Sequence, residues 1–165
     1  MIHTSRLLLR QFERQDQPIM TALLGDAEFM AYSPSGAMTT AQAELRFEQL
    51  LDAYTLHGTG KLAVIEKSTG QLIGYCGLEA FEYQAEPCVE LGYRLVRSAR
   101  GNGYATEASQ AVLESAKKAG YSRILALTEH DNVCSKHILA RLGFVARETG
   151  SFEGMQVQFF EKRWQ

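Results

Sequence analysis

A chain of 165 residues, 45% hydrophobic and 22% charged, has the length and composition of one globular domain with a sizeable core, expected to span residues 1–165. A formal net charge of −2 gives no general attraction to nucleic acid or to an anionic membrane, and no segment approaches the roughly 20 apolar residues of a membrane span. Three widely spaced cysteines, an odd number, argue against a disulfide framework and fit a reducing cytoplasm.

The N-terminal stretch MIHTSRLLLRQFERQ holds only three leucines between Arg6 and Arg10, too short an apolar run for a secretory signal. Arg6–Phe12 predicts a short strand. Asp16–Leu24 and Thr40–Tyr54 predict amphipathic helices, the second carrying Ala43, Phe47, Leu50, Leu51 and Tyr54 at helical spacing. Leu62–Lys67 and Gln71–Phe81 predict strands joined by the turn Ser68-Thr69-Gly70. In the strand Val89–Val96, Val89, Leu91, Tyr93 and Leu95 share one face, while Glu90, Gly92 and Arg94 share the other. A glycine-rich turn leads into a helix from Tyr104 to Ala119, stopped by Gly120 and favoured at its end by Lys117 and Lys118. Arg123–Thr128 is a continuous apolar run, as suits a strand covered on both faces. A helix from Val133 to Leu142 and strands near Phe144–Thr149 and Gln156–Lys162 complete the order β-α-α-β-β-β-α-β-α-β-β. The fold class is α/β (α+β): a mixed, twisted sheet of six or seven strands flanked by about four helices, with a parallel β-α-β unit near its centre.

The most informative segment is Leu95-Val-Arg-Ser-Ala-Arg100-Gly101-Asn102-Gly103-Tyr104-Ala105-Thr106-Glu107. Here a strand ends, two glycines follow within three residues, and a helix begins. Glycine accepts positive φ and leaves backbone N–H groups uncovered, and a helix N-terminus adds unpaired donors with a partial positive charge. Gly101 to Thr106 therefore read as a cradle for an anion such as phosphate, or as no more than a tight turn. Neither a P-loop nor a dinucleotide fingerprint fits. The first lacks its lysine, and the second lacks a small third residue at Thr106 and its acidic partner further on.

Arg100-Gly-Asn-Gly103-Tyr-Ala105 resembles the Arg/Gln-x-x-Gly-x-Gly/Ala signature of the GNAT acetyltransferases, which grips the pyrophosphate of coenzyme A. Three further stretches resemble the subgroup that includes the ribosomal-protein N-acetyltransferases RimJ and RimL. They are the opening TSRLLLRQF, the block VELGYRL followed by RGNGYATEA, and Asn132-Val-Cys-Ser135 followed by Leu142-Gly-Phe144. The resemblance runs from about residue 4 to 160. It implies an enzyme that moves an acetyl group from acetyl-CoA, as co-substrate, to a primary amine by direct attack in a ternary complex. The acceptor would be a protein N-terminus or a small amine, and the enzyme a monomer or homodimer. Pantetheine would lie along the backbone of Tyr93, Arg94 and Leu95, in a wedge between that strand and Arg123–Thr128. Arg100, Gly101, Asn102, Gly103, Tyr104, Ala105 and Thr106 would hold the pyrophosphate.

Asn132 precedes a helix and suits its N-cap; the resemblance adds a CoA contact. Ser135 is the third residue of that helix, either a surface hydroxyl or, by resemblance, the acid that protonates the departing thiolate. Where many relatives carry a tyrosine four residues before the Gly-Phe pair, this chain has Leu139, which gives Ser135 more weight. Glu90 is either half of a cross-strand salt bridge or the general base for the incoming ammonium, with Glu79 and Glu82 as rivals. Cys134, Ile138 and Leu142 fall at i, i+4 and i+8, which predicts a core position for Cys134 rather than a nucleophile. His130 and His137 lack further ligands at metal-site spacing, so no metal is expected. Tyr32, Tyr83 and Phe152 lie in connections flanking an acceptor site and are expected to pack. A rival from another class is a CoA-binding sensor or interaction module that keeps the cradle without catalysis; the joint presence of Glu90 and Ser135 favours the enzyme.

Overall fold

The computed structural model describes residues 1–164. Eight strands form one sheet: β1 (Ile2–His3), β2 (Leu7–Arg10), β3 (Lys61–Glu66), β4 (Gln71–Tyr83), β5 (Glu86–Leu95), β6 (Arg123–Glu129), β7 (Val145–Phe152) and β8 (Met155–Arg163). Four helices flank it: α1 (Gln17–Leu24), α2 (Thr40–His57), α3 (Tyr104–Lys118) and α4 (Val133–Arg141). Neighbours run β1-β2-β3-β4-β5-β6-β8-β7, and β5–β6 is the parallel pair in an otherwise antiparallel sheet. The expected six or seven strands become eight because Ile2–His3 pairs with Leu8 and Leu9. A two-residue strand carries too little alternation to show in a sequence.

Alternation along the central strands divides the core in two. Cys76, Leu78, Leu91 and Leu95 face α3, meeting Ala108, Val112 and Leu113. Ala63 and Tyr75 face the opposite way, toward Phe47 and Leu50 of α2 and Met20 and Leu24 of α1. Local signals set the helix ends. Thr39 caps α2 by accepting from the Gln42 N–H, while Gln42 returns a bond to the Thr39 N–H. Gly58, at φ 72°, stops it beyond the expected Tyr54.

The parallel pair positions the site. β5 and β6 meet in register at Glu90 and Leu125. Beyond that point β5 continues through Leu91 to Leu95 and β6 through Ala126 to Glu129, with a cleft between them. Parallel neighbours require a crossover, here supplied by α3, so the Gly101–Gly103 turn and the α3 N-terminus follow directly from the end of β5.

Candidate active site

The cleft has a volume of about 570 Å³ and is walled by Leu91–Arg94 of β5 and Ala126–Glu129 of β6. Asn132 and Ser135 of the α4 start line one end; Arg46, Met30 and Tyr32 line the other. The α3 N-terminus stands past the end of β5. Gly101 and Gly103 both take φ 80°, and Gly103 is the N-cap without any side-chain cap. An uncapped helix start behind two left-handed glycines presents its N–H groups outward, as an anion site requires.

Side chains around this turn brace it. Arg100 Nε donates to the Leu95 carbonyl at 3.1 Å and Nη2 to the Glu28 carbonyl at 2.9 Å, and its backbone N–H donates to Arg97 O. Arg100 thus ties the strand end to the α1–α2 loop. Asn102 Nδ2 closes the turn on Ala99 O at 3.2 Å. Tyr104 is buried and donates to Glu66 Oε2 at 2.7 Å, with Arg6 stacked 4.4 Å above its ring, so it offers a ligand its backbone rather than its phenol. Glu107 accepts from Thr4 Oγ1 at 2.6 Å and from the Arg6 N–H and Nε at 3.0 and 2.8 Å. These bonds clamp the opening segment to the first turn of α3. The sequence reading passed over Glu107, whose partners lie about a hundred residues away.

Two groups of polar side chains occupy opposite faces of β5. On the α3–α4 face, the Tyr93 and Ser135 hydroxyls lie 3.0 Å apart. Burial pushes the Tyr93 phenol up to about 12. Asn132 accepts from the Ser135 N–H at 3.2 Å, so its oxygen caps α4. Leu139 is the buried residue of that helix. Cys134 is exposed, contrary to the expected core position. The first turn of α4 stands at the mouth of the cleft rather than over the sheet, so helical spacing there does not report burial.

On the α1–α2 face, Glu90 and Glu79 stand directly opposite each other across β5 and β4. Arg46 holds Glu79 through both oxygens, at 3.0 and 2.6 Å, and the buried Lys61 ammonium adds a third contact at 3.0 Å. Burial alone would raise the Glu79 carboxyl, but Lys61 and Arg46 together bring it down to about 2. Glu90 goes the other way: burial raises it, Lys61 partly offsets this, and Glu79 adds repulsion. Glu79 is therefore a fixed anion, while Glu90 is the more basic of the two. Glu82 is exposed on the opposite face of β4, so alternation removes it from the region shared by Glu79 and Glu90. Arg94, on the Glu90 face, donates to the Phe29, Ala31 and Tyr32 carbonyls and fixes the α1–α2 loop beside the cleft. Phe152 packs on Phe81 with ring centroids 5.7 Å apart, and Tyr32 is half exposed at φ 61°.

The residues present fit an acyl-CoA on two observations: the uncapped α3 start, and Thr128 in the cleft wall, whose buried hydroxyl has no partner. A buried orphan hydroxyl in a ligand cleft is a waiting hydrogen-bonding group. No group of three or more His, Cys, Asp or Glu side chains is placed to hold a metal among the described residues. No helix there is long and apolar enough to cross a membrane.

An uncapped helix start beyond the end of β5, opening into a cleft between parted parallel strands, is an arrangement suited to a phosphorylated ligand. The acetyltransferase (GNAT) domain family matches residues 6–145, and the chain belongs to that family. It is an acetyltransferase using acetyl-CoA. Bacillus subtilis YnaD, named an uncharacterised N-acetyltransferase, is 29% identical over 153 residues, covering 92% of this chain and 85% of YnaD. A ribosomal-protein-S5-alanine acetyltransferase from Vibrio fischeri superposes with a TM-score of 0.79 at 18% identity, covering 98% of this chain and 94% of that one. The microcin C7 self-immunity acetyltransferase MccE, solved with acetyl-CoA and AMP, superposes with a TM-score of 0.80 at 15% identity and the same coverage.

Proposed function

We propose that this protein transfers the acetyl group of acetyl-CoA directly to a primary amine, with both substrates in the cleft at once. The observation that carries this is the placement of two opposed chemistries on one strand. Glu90 faces the α1–α2 side and the Tyr93–Ser135 hydroxyl pair faces the α3–α4 side, with the β5 backbone between them.

The α3 N-terminus and the Gly101–Gly103 turn hold the pyrophosphate by backbone N–H groups. The free edge of β5 beyond Glu90 aligns the pantetheine and receives charge developing on the thioester oxygen, an electrostatic contribution often of a few kcal/mol. On the acceptor side, Glu90 takes a proton from the ammonium, directly or through water. At neutral pH, deprotonating a lysine-type amine of pKa near 10.4 costs about 3 kcal/mol more than an α-amine of pKa near 8. A carboxylate base therefore suits an α-amine, such as a protein N-terminus, or a small amine of similar basicity. The amine nitrogen bonds to the acetyl carbon and the C–S bond breaks; Ser135, held by Tyr93, protonates the departing thiolate, and the proton that the nitrogen gives up on becoming an amide restores the Ser135 hydroxyl through solvent. The products are amide and free CoA.

A sensor that binds acetyl-CoA without turnover would share the cradle. Thiol release from acetyl-CoA, followed across a panel of amines from N-terminal peptides to polyamines, separates the two. Amine-dependent thiol release is expected for at least one class. Tight binding without release for any acceptor would replace the enzyme with the sensor.

A further inference from the structure

Lys61 opens β3 and is buried, a position where an ammonium is costly unless it is paired. Cross-strand register places it in one row with Gly77 of β4 and Gly92 of β5. A Cβ at Gly77 would fall 2.5 Å from the Gly60 carbonyl oxygen and 2.9 Å from Lys61 Cα. One at Gly92 would fall 2.7 Å from Lys61 Cε and 2.8 Å from Glu90 Oε1. The two glycines leave a track one side chain wide, and the lysine runs along it across the face of the sheet. Tyr54 of α2 fixes the start of the track by donating its hydroxyl to the Lys61 carbonyl. At the far end, Nζ stops 3.0 Å from Glu79 Oε1 and 3.8 Å from Glu90 Oε1. Without a cation there, two carboxylates directly opposite on paired strands would repel.

We propose that Lys61 is a positioning residue for the acceptor side of the site, its ammonium laid across Gly77 and Gly92 to keep the Glu90 carboxylate charged beside Glu79. This rests on the reading of Glu90 as the proton acceptor. It also gives a role to the glycine of the Glu90-Leu-Gly92-Tyr93 motif, which clears the path of the lysine. The charged groups facing Glu90 are Lys61 from β3, Glu79 from β4, Arg46 from α2 and Arg94 from β5 itself. Arg46 is engaged with Glu79, and Arg94 with the carbonyls of the α1–α2 loop. That leaves Lys61 as the largest attraction opposing the effect of burial on Glu90.

The sign follows from the charges. Loss of the Lys61 cation lets Glu90 hold its proton to higher pH, and loss of the Glu79 anion releases it at lower pH. The measurement is the 13C titration of side-chain carboxyls in the labelled protein, with the Glu90 signal assigned by its absence in E90Q. In K61M the Glu90 midpoint is expected to rise by at least one pH unit, and in E79Q to fall. The acidic limb of kcat/KM should move with it in each variant. Midpoints that stay within about 0.3 unit, or that move in the same direction in both variants, overturn the proposal. Should K61M not fold, the 15Nζ signal of Lys61 in the wild type decides. It should shift at the Glu90 midpoint and lose that step in E90Q, and an Nζ signal blind to Glu90 overturns the proposal. If the midpoints move as expected but the kinetic limb does not follow, Lys61 still tunes Glu90, and the base assignment is what fails.

Discussion

Thr128 buries a hydroxyl without a partner in the wall of the cleft, at a cost to the stability of the fold. Valine has nearly the same outline and no polar atom. T128V should raise the thermal midpoint by about 3 °C, as expected for roughly 1 kcal/mol in a chain of this size, while weakening acetyl-CoA binding about three- to tenfold. Calorimetric melts with a binding titration check both, and unchanged affinity alongside the stability gain would make the hydroxyl a packing defect. At the same scale, Glu90 and Glu79 show what a sequence holds and what it withholds. Alternation placed Glu90 with Gly92 and Arg94, away from Val89 and Leu91, and both Glu79 and Glu82 stood as its rivals. It could not show that Lys61 and Arg46 bring the Glu79 carboxyl down to about 2 while burial raises Glu90, because those partners arrive from β3 and α2. Lys61 escaped notice because the apolar pattern of its strand begins at Leu62. The Tyr93–Ser135 contact joins residues 42 apart in sequence, which no local period can report.

The strand–turn–helix from β5 into α3 was legible because its cause is local: Gly101 and Gly103 adopt the positive φ that few other residues accept. The cradle's use of backbone rather than side chains gives a sharp expectation. G103V should weaken acetyl-CoA binding at least tenfold, about 1.4 kcal/mol, because a β-branched residue resists φ near 80° and cannot hold the helix start in place. A folded G103V with unchanged affinity, measured by titration calorimetry, would remove the cradle. Other elements were less legible. β1 is too short to alternate, and β5 begins at Glu86, before its hydrophobic run. In α4 the spacing of Cys134, Ile138 and Leu142 suggested one buried stripe; Ile138 and Leu142 do pack on the core, but Leu139 is the residue buried within the helix and Cys134 is exposed. A nine-residue helix whose first turn stands at a cleft obeys the cleft, and periodicity is informative only where a neighbour covers the helix.

At the scale of the molecule, the parting of β5 from β6 gives one cleft reached from both faces of the sheet. Tyr93, Asn132 and Ser135 line it toward α3 and α4, and Arg46, Glu79 and Glu90 toward α1 and α2. On the proposed reading, that division sets the proton acceptor and the proton donor on opposite sides of one strand. The central claim is that Glu90 accepts the proton of the acceptor amine. It is tested most directly by the pH dependence of turnover in E90Q against the wild type, with one active acceptor. Glutamine keeps the size and hydrogen-bonding capacity of the side chain but cannot take the proton. Turnover is expected to fall by roughly 10²–10³, a loss typical of a missing general base, and the deficit should shrink as pH approaches the pKa of the acceptor. Turnover within a few-fold of wild type, with pH profiles running parallel, would contradict the account and leave Glu90 a structural partner of Lys61.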